Sequence, residues 1–151
     1  MSENNKRIKN YGERTNKAMK TWMKVVRTFH KFSNKEIAYF NENELTFNQF
    51  KVLEVLYHKG DLNIGSITKL TMSTPGNITV VVRNLKRDGW IKSISDKEDK
   101  RVSILSITEK GLKKMDEIFP RHSENLRNIM QVLNDEELDT LHKLLNKVYK
   151  Q

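Results

Sequence analysis

Apolar residues recur at helical spacing along most of the chain. Between residues 15 and 40 they fall every three or four positions, with Lys and Arg between them, which predicts one long amphipathic helix. Its apolar stripe is too long for one small domain to cover, so part of it is expected to meet a partner subunit. A second helix is predicted between Leu45 and Gly60, because Thr46 suits an N-cap and glycine suits the left-handed position that ends a helix.

Two shorter helices are predicted next, on either side of the turn Met72-Ser73-Thr74. The first covers residues 63–70, and three of its side chains are expected to face inward: Ile64, Ile67 and Leu70. The second begins after Thr74, its expected N-cap, with Pro75 in the first turn, where a backbone N–H would have no helical partner. A helical wheel places four apolar residues of this helix on its buried side: Ile78, Val81, Val82 and Leu85.

The hydrophobic period shortens after the second short helix. Residues 90–94 and 102–107 are rich in β-branched side chains and flank a charged segment at 96–100, which predicts a β-hairpin with a polar tip. Residues 112–133 then return to helical spacing. A last, leucine-rich helix is predicted to begin at Asn134, because Asn134 and Glu137 have the spacing of a capping box.

The order of these elements predicts a fold class that is mainly α with a small β-wing. Three short helices followed by a two-stranded wing make a winged helix-turn-helix core, flanked by N- and C-terminal dimerisation helices. The whole chain, residues 1–151, is predicted to be a single domain. Its expected parts are the helix-turn-helix at about 63–87, the wing at about 90–108, and the dimerisation helices at about 13–41 and 109–150.

Charge and composition narrow the kinds of partner. The chain has 28 Lys and Arg against 19 Asp and Glu, and the excess lies in two blocks, residues 1–31 and residues 63–101. Double-stranded DNA is the partner that this distribution favours, and a basic solvated surface is the alternative. The lack of cysteine excludes disulfides and thiolate chemistry. Because the sequence shows neither a secretory pattern nor a membrane-spanning stretch, a soluble cytoplasmic protein with no membrane partner is expected.

The helix after Thr74 is the candidate for reading DNA bases. The face opposite its buried side presents Gly76, Val80, Arg83, Asn84 and Arg87. Arginine donates two hydrogen bonds to a guanine edge, asparagine pairs with adenine, and valine contacts the methyl group of thymine. In the alternative interpretation the arginines are solvated charges on an ordinary amphipathic helix. The exposed valine argues against that, because a free surface gains nothing from it.

Further candidate residues are expected to contact DNA phosphates or to lie in the wing. Thr74 and the first helical turn suit a phosphate, and Lys69 and Lys86 suit contacts that do not depend on base sequence. In the wing, Arg101 is the candidate for a minor groove and Asp99 for orienting it, with an ordinary charged hairpin tip as the alternative. The full set of candidates is Lys69, Thr74, Pro75, Gly76, Asn77, Thr79, Val80, Arg83, Asn84, Lys86, Arg87, Lys97, Asp99, Lys100 and Arg101.

Several short motifs resemble one family of regulators. They are Ile67…Leu70, Ser73, Ile78-Thr79, Leu85, Asp88-Gly89-Trp90-Ile91, Asp99-x-Arg101 and Ile107-Thr108-Glu109-Lys110-Gly111. This pattern is similar to that of the MarR family of bacterial and archaeal transcriptional regulators. The resemblance implies a homodimer with intertwined terminal helices, which represses by occupying its operator and is released by a small effector. It also implies that residues 74–87 enter the major groove, with Arg101 in the minor groove and Asp99 as its supporting acid.

The same resemblance suggests an effector but no cofactor. Residues 115–122 are similar to the branch of quinone- and hydroquinone-responsive repressors, and the lack of cysteine excludes the family's thiol-oxidation mechanism. A small aromatic or phenolic effector is the expected ligand, although core packing is an alternative role for each candidate. The candidates for lining its pocket are Trp22, Phe29, His30, Tyr57, His58 and Phe119.

Other classes of function find less support in the sequence. The four histidines are scattered without metal-ligand spacing, so no metal and no cofactor are predicted. No phosphate-binding loop or nucleophile motif is present, so an enzyme is not expected. The remaining alternative is a winged helix that binds proteins rather than DNA. Its exposed helix face should be apolar or acidic, whereas this one is basic.

Overall fold

The computed structural model describes residues 9–95 and 103–151. In chain order these residues form α1 (Glu13–Glu42), α2 (Phe47–Lys59), β1 (Leu62–Asn63), α3 (Ile64–Leu70), α4 (Pro75–Arg87), β2 (Ile91–Ser95), β3 (Ser103–Ile107), α5 (Glu109–Met130) and α6 (Asp135–Tyr149). Every helix and both hairpin strands expected from the sequence are present. Within this part of the chain, no helix combines the length and the apolar character that crossing a bilayer requires.

The three strands form one antiparallel sheet in the order β1-β3-β2. β2 and β3 make the predicted hairpin, in a register that pairs Ile91 with Ile107 and Ser95 with Ser103. β1 adds to the other edge of β3 by pairing Leu62 with Leu105. This third strand was not predicted, because two residues are too few to show an alternating pattern.

The chain divides into two compact units, residues 1–36 and residues 37–151, and the boundary falls inside α1. The hydrophobic core belongs to the second unit and draws on all its helices except α6, together with both strands of the hairpin. Its largest fully buried side chains are Phe40, Phe50, Leu45, Leu53, Leu56, Ile67, Ile78, Leu85, Leu105, Met115, Ile118 and Val52. This core fixes α2, α3, α4 and the wing strands to one another.

Side-chain caps begin the helices where the sequence indicates. The Thr46 hydroxyl accepts a hydrogen bond from the Gln49 backbone N–H at 3.2 Å, and Gln49 Oε1 accepts one from the Thr46 backbone N–H at 2.8 Å, which forms a capping box. Asn134 and Glu137 form the predicted capping box of α6. Gly60 ends α2 as predicted and has a positive φ of 79°, which favours glycine, but its ψ of −155° lies outside the left-handed helical conformation that was expected.

The prediction for α3 is partly wrong. Ile67 is fully buried, but Ile64 is 40% exposed and Leu70 is 47% exposed. The three residues spread over roughly 120° of a helix that has only two turns, so the central one reaches the core and the outer two lie at its edges. Burial therefore anchors α3 mainly through Ile67.

Candidate DNA-binding interface

α4 is anchored to the core along one side, as predicted. Its apolar stripe, Ile78, Val81, Val82 and Leu85, is buried in the hydrophobic core. Burying an aliphatic side chain of this size contributes about 1.5–3 kcal/mol, so the stripe holds the helix in one orientation. The opposite side of α4 consequently faces solvent in a fixed direction.

The first turn of α4 is capped by side chains and is open to solvent. The Thr74 hydroxyl accepts a hydrogen bond from the Asn77 backbone N–H at 3.3 Å, and Pro75 occupies the first helical position. The Thr79 hydroxyl donates back to the Pro75 carbonyl at 2.8 Å. A Cβ at Gly76 would meet no atom within 4 Å, so the fold itself does not require a glycine there. The helix N-terminus is therefore open at this position, and backbone N–H groups at such an end favour anions.

The solvent side of α4 carries the predicted base-reading residues. Val80 is 45% exposed, Arg83 is exposed, and Asn84 is half-buried. Among the described residues, Arg83 forms no ion pair, so its guanidinium is available to a partner. The remaining candidates on α3 and α4 are also at the surface: Lys69, Thr74, Pro75, Gly76, Asn77, Thr79, Lys86 and Arg87.

Arg87 differs from Arg83 in a way that the sequence patterns did not predict. Its Nε lies 2.8 Å from Asp88 Oδ1 and its Nη2 lies 3.3 Å from Asp88 Oδ2. The hydrogen bond and the charge of Asp88 raise the pKa of Arg87. Because adjacent residues in a helix do not face each other, spacing rules give no signal for this pair at the helix end. Two donors of the Arg87 fork are therefore already occupied.

Side chains at the start of α5 donate hydrogen bonds to backbone carbonyls at the end of α4. The Thr108 hydroxyl donates to the Gly89 carbonyl at 2.7 Å, and Lys110 Nζ donates to the Asp88 carbonyl at 2.8 Å. A Cβ at Gly111 would overlap the Trp90 carbonyl oxygen, so only glycine allows this approach. Two of the motifs recognised in the sequence, at 88–91 and 107–111, thus meet at one junction.

The structure describes both strands of the wing but not the candidate residues at the tip of the wing. Lys97, Asp99, Lys100 and Arg101 lie outside the described residues, between the end of β2 and the start of β3. The register from Ile91↔Ile107 to Ser95↔Ser103 is continuous across both strands. The roles assigned to the four tip residues stay predictions.

Comparison with known proteins decides the family. A family model described as transcriptional regulator SarA/Rot matches residues 35–118. The HTH-type transcriptional regulator MhqR of Bacillus subtilis (strain 168) is 30% identical over 134 residues, which are 89% of this chain and 92% of that protein. The chain belongs to the MarR family of winged helix-turn-helix transcriptional regulators. It is accordingly a DNA-binding regulator and not an enzyme, and the resemblance seen in the sequence is confirmed.

Solved structures of MarR regulators share the fold. AbsC, a MarR family transcriptional regulator from Streptomyces coelicolor, superposes with a TM-score of 0.83 at 17% identity, covering 94% of this chain and 97% of that one. A mutant MarR from E. coli, complexed with operator DNA, gives a TM-score of 0.78 at 20% identity, covering 91% and 99%. At these identities the likeness supports the architecture around α4 rather than individual contacts.

Three of the six effector candidates of this MarR regulator lie together. The His58 ring is 5.0 Å from the Tyr57 ring and 4.7 Å from the Phe119 ring, measured between centroids. The Tyr57 hydroxyl donates to Asp116 Oδ1 at 2.5 Å. This hydrogen bond, together with partial desolvation and the charge of Asp116, raises the pKa of Tyr57. The cluster therefore offers aromatic faces beside a hydroxyl and a carboxylate. Sequence patterns did not indicate Asp116 as a member.

The other three candidates belong to the unit formed by residues 1–36. Trp22, Phe29 and His30 are exposed, and the Phe29 and His30 rings lie 5.9 Å apart. A surface depression of about 480 Å³ in this unit is lined by none of them. Its lining residues are Met19, Lys20, Met23, Lys24 and Arg27.

No metal site is found in residues 9–95 and 103–151, where no three His, Asp or Glu side chains are grouped to hold an ion. His122 is buried against Phe40 and Phe50, with ring centroids 5.5 Å and 4.7 Å away. Its Nε2 lies 3.9 Å from Glu54 Oε1. This histidine therefore packs in the core of the regulator.

Proposed function

We propose that this MarR regulator is a homodimeric repressor that binds an inverted-repeat operator and leaves it when a small aromatic or phenolic effector binds. The observation that carries the proposal is the division of α4. One side is buried in the core, and the other offers Asn84, an exposed Val80 and an Arg83 that forms no ion pair with the described residues. Those three groups suit adenine, the thymine methyl and guanine in a major groove.

Phosphate contacts would fix the position of α4 in the groove. Thr74 and the open approach at Gly76 suit a phosphate at the helix N-terminus, whereas Lys69 and Lys86 suit neighbouring phosphates. Pro75, Asn77 and Thr79 belong to the same surface. In the wing, Arg101 would enter the minor groove with Asp99 supporting it and Lys97 and Lys100 beside it.

Exposed apolar faces support the homodimer. α6 buries none of its side chains in its own chain, although five large apolar residues recur along it: Leu138, Leu141, Leu144, Leu145 and Val148. Contiguous apolar surface of this kind marks a protein interface, and a second copy of the chain would cover it. A two-fold dimer would place its two α4 helices about 34 Å apart, in successive major grooves.

The cluster of Tyr57, His58, Phe119 and Asp116 supports an effector site. The rings would stack on an aromatic ligand, and Asp116 would accept a hydrogen bond from a phenolic hydroxyl in place of Tyr57. A solved structure with a similar fold, that of NadR, is in complex with 4-hydroxyphenylacetate, a ligand of this chemical class. Trp22, Phe29 and His30 stay separate candidates for contacting an effector.

Selection of binding sites from random duplexes tests the operator. We expect enriched sequences to contain two half-sites in inverted orientation, about one helical turn apart. Enrichment of a single half-site would contradict the dimeric reading of DNA. Enrichment of no sequence would favour the alternative of a winged helix that binds proteins. Titrating the bound operator with 4-hydroxyphenylacetate and related phenols then tests release, with Asp116→Asn as the variant expected to respond least.

A further inference from the structure

A continuous basic stripe runs along α1. Its members recur at intervals of three or four residues: Lys17, Lys20, Lys24, Arg27, Lys31 and Lys35. At 100° per residue these positions fall within an arc of roughly 80° and extend over about 27 Å of helix. All six side chains are exposed.

Almost nothing in this segment balances the charge. Residues 14–35 contain no Asp or Glu, and only Lys17 forms an ion pair among the described residues, with Glu13 at 2.7 Å. Successive members of the stripe are neighbours on the helix surface, and like charges at these spacings destabilise a helix. A stripe that served only for solubility would carry acids among the bases. A polyanion lying along it would relieve the repulsion.

Helix geometry distinguishes between two polyanions, a nucleic acid and an anionic membrane. The apolar residues of this segment centre roughly 170° from the basic stripe, with Trp22 and Phe29 near the middle of that face. A helix that binds a membrane inserts its apolar face into the lipid, so a membrane partner requires Trp22 and Phe29 to stay uncovered by protein. A nucleic acid makes no such demand, because the stripe can bind it while a partner subunit covers the apolar face.

A depression along one edge of the stripe, where it borders the apolar face, favours a sugar-phosphate chain. Three cations of the stripe, Lys20, Lys24 and Arg27, line this depression of about 480 Å³, and Met19 and Met23 line it from the apolar side. Cations beside thioether and methylene groups match the alternation of phosphates and deoxyribose rings along a DNA strand. We propose that the basic stripe of α1 is a second DNA-binding surface, which holds the phosphate backbone of duplex DNA without reading its bases.

The test uses the full chain and a random-sequence duplex. Binding of the native protein is measured over a range of salt concentrations. The same measurement is then made on the triple variant Lys20→Gln/Lys24→Gln/Arg27→Gln. Because each phosphate contact contributes about 0.9 to the slope of log K against log salt, we expect the slope to fall by about 2–3. The control, Lys143→Gln/Lys147→Gln/Lys150→Gln, removes the same charge from exposed positions of α6 and its C-cap and should keep the native slope. A charge-preserving variant, Lys20→Arg/Lys24→Arg/Arg27→Lys, should also keep the native slope.

Other results would overturn the proposal. Equal losses of slope in the stripe and α6 variants would mean that only net charge matters. An unchanged slope, with loss of binding to phosphatidylserine vesicles, would assign the stripe to membranes. Folding is checked by circular dichroism, where the stripe variant should melt no lower than the native chain because like-charge pairs are removed. If the proposal for the stripe fails, the proposal that α4 reads the operator still stands. That second proposal is tested separately, by measuring the binding of Arg83→Ala to the selected sites.

Discussion

α4 and α6 are amphipathic helices of similar length, with 13 and 15 residues, yet they treat their apolar sides in opposite ways. α4 buries its stripe in the core of its own chain and leaves a polar side for a partner. α6 begins with a complete capping box but buries no side chain at all. The comparison shows that an amphipathic pattern specifies a helix without specifying what covers its apolar face. For α4 the chain itself provides the cover, and for α6 we propose that a second copy does.

The largest expected effect is on the buried side of α4. Leu85→Ala removes a fully buried side chain and should lower the free energy of unfolding by about 2–5 kcal/mol, through lost burial and the cavity left behind. Chemical denaturation measures it. Leu144→Ala in α6 is the matched control at an exposed position. In a sample dilute enough to be monomeric, the control should change stability by less than about 0.5 kcal/mol. Equal losses would mean that α6 is packed within its own chain.

The next effect is on assembly. Leu145 of α6 is 45% exposed, so a partner that buries it completely would gain about half of its burial energy. Since the substitution occurs once in each copy, Leu145→Ala should weaken the dimer by about 1.5–3 kcal/mol. Analytical ultracentrifugation over a dilution series measures the dissociation constant. Lys147→Ala, on the same helix, is the control and should leave the constant nearly unchanged. A native chain that is monomeric at every concentration would refute the proposed role of α6.

The contrast between these helices also shows what the sequence alone predicts well. Thr74, Pro75 and the buried face of α4 follow from spacing and capping rules, because both depend on the helix itself. The capping box at Asn134 is predictable for the same reason. Contacts between elements are harder to predict. The presence of Gly111 in a motif is visible in the sequence, but its physical reason, the close approach of the Trp90 carbonyl, is visible only in the structure.

Three further features lay beyond sequence reasoning for physical reasons. β1 is too short to have a period. The exposed positions of Ile64 and Leu70 depend on how deeply a two-turn helix sits in the core. The pairing of Arg87 with Asp88 depends on backbone geometry at the end of α4, where the ordinary spacing rules stop applying. The sequence therefore predicted which residues lie on the solvent side of α4, but not which of its two arginines pairs with a neighbouring acid.

That difference between the two arginines of α4 gives the third prediction. Arg83→Ala should weaken operator binding by about 1–3 kcal/mol and relax the preference at one base pair in each half-site. Arg87→Ala should cost less, because Asp88 already occupies two of its donors. Fluorescence anisotropy with the selected operator and with single-base variants measures both effects. A larger loss for Arg87 would show that it exchanges Asp88 for DNA, and would make it the main reader of the groove.

The smallest effects compare the N-caps of the same two helices. Thr74→Ala and Asn134→Ala each remove a side-chain acceptor for a backbone N–H, and each should lower the free energy of unfolding by about 1 kcal/mol. Their effects on DNA should differ, because only the Thr74 hydroxyl lies at the proposed phosphate contact. Thr74→Ser keeps the hydroxyl and should restore both stability and operator affinity. If Thr74→Ala and Asn134→Ala reduced affinity equally once stability was taken into account, the Thr74 hydroxyl would be a helix cap and nothing more.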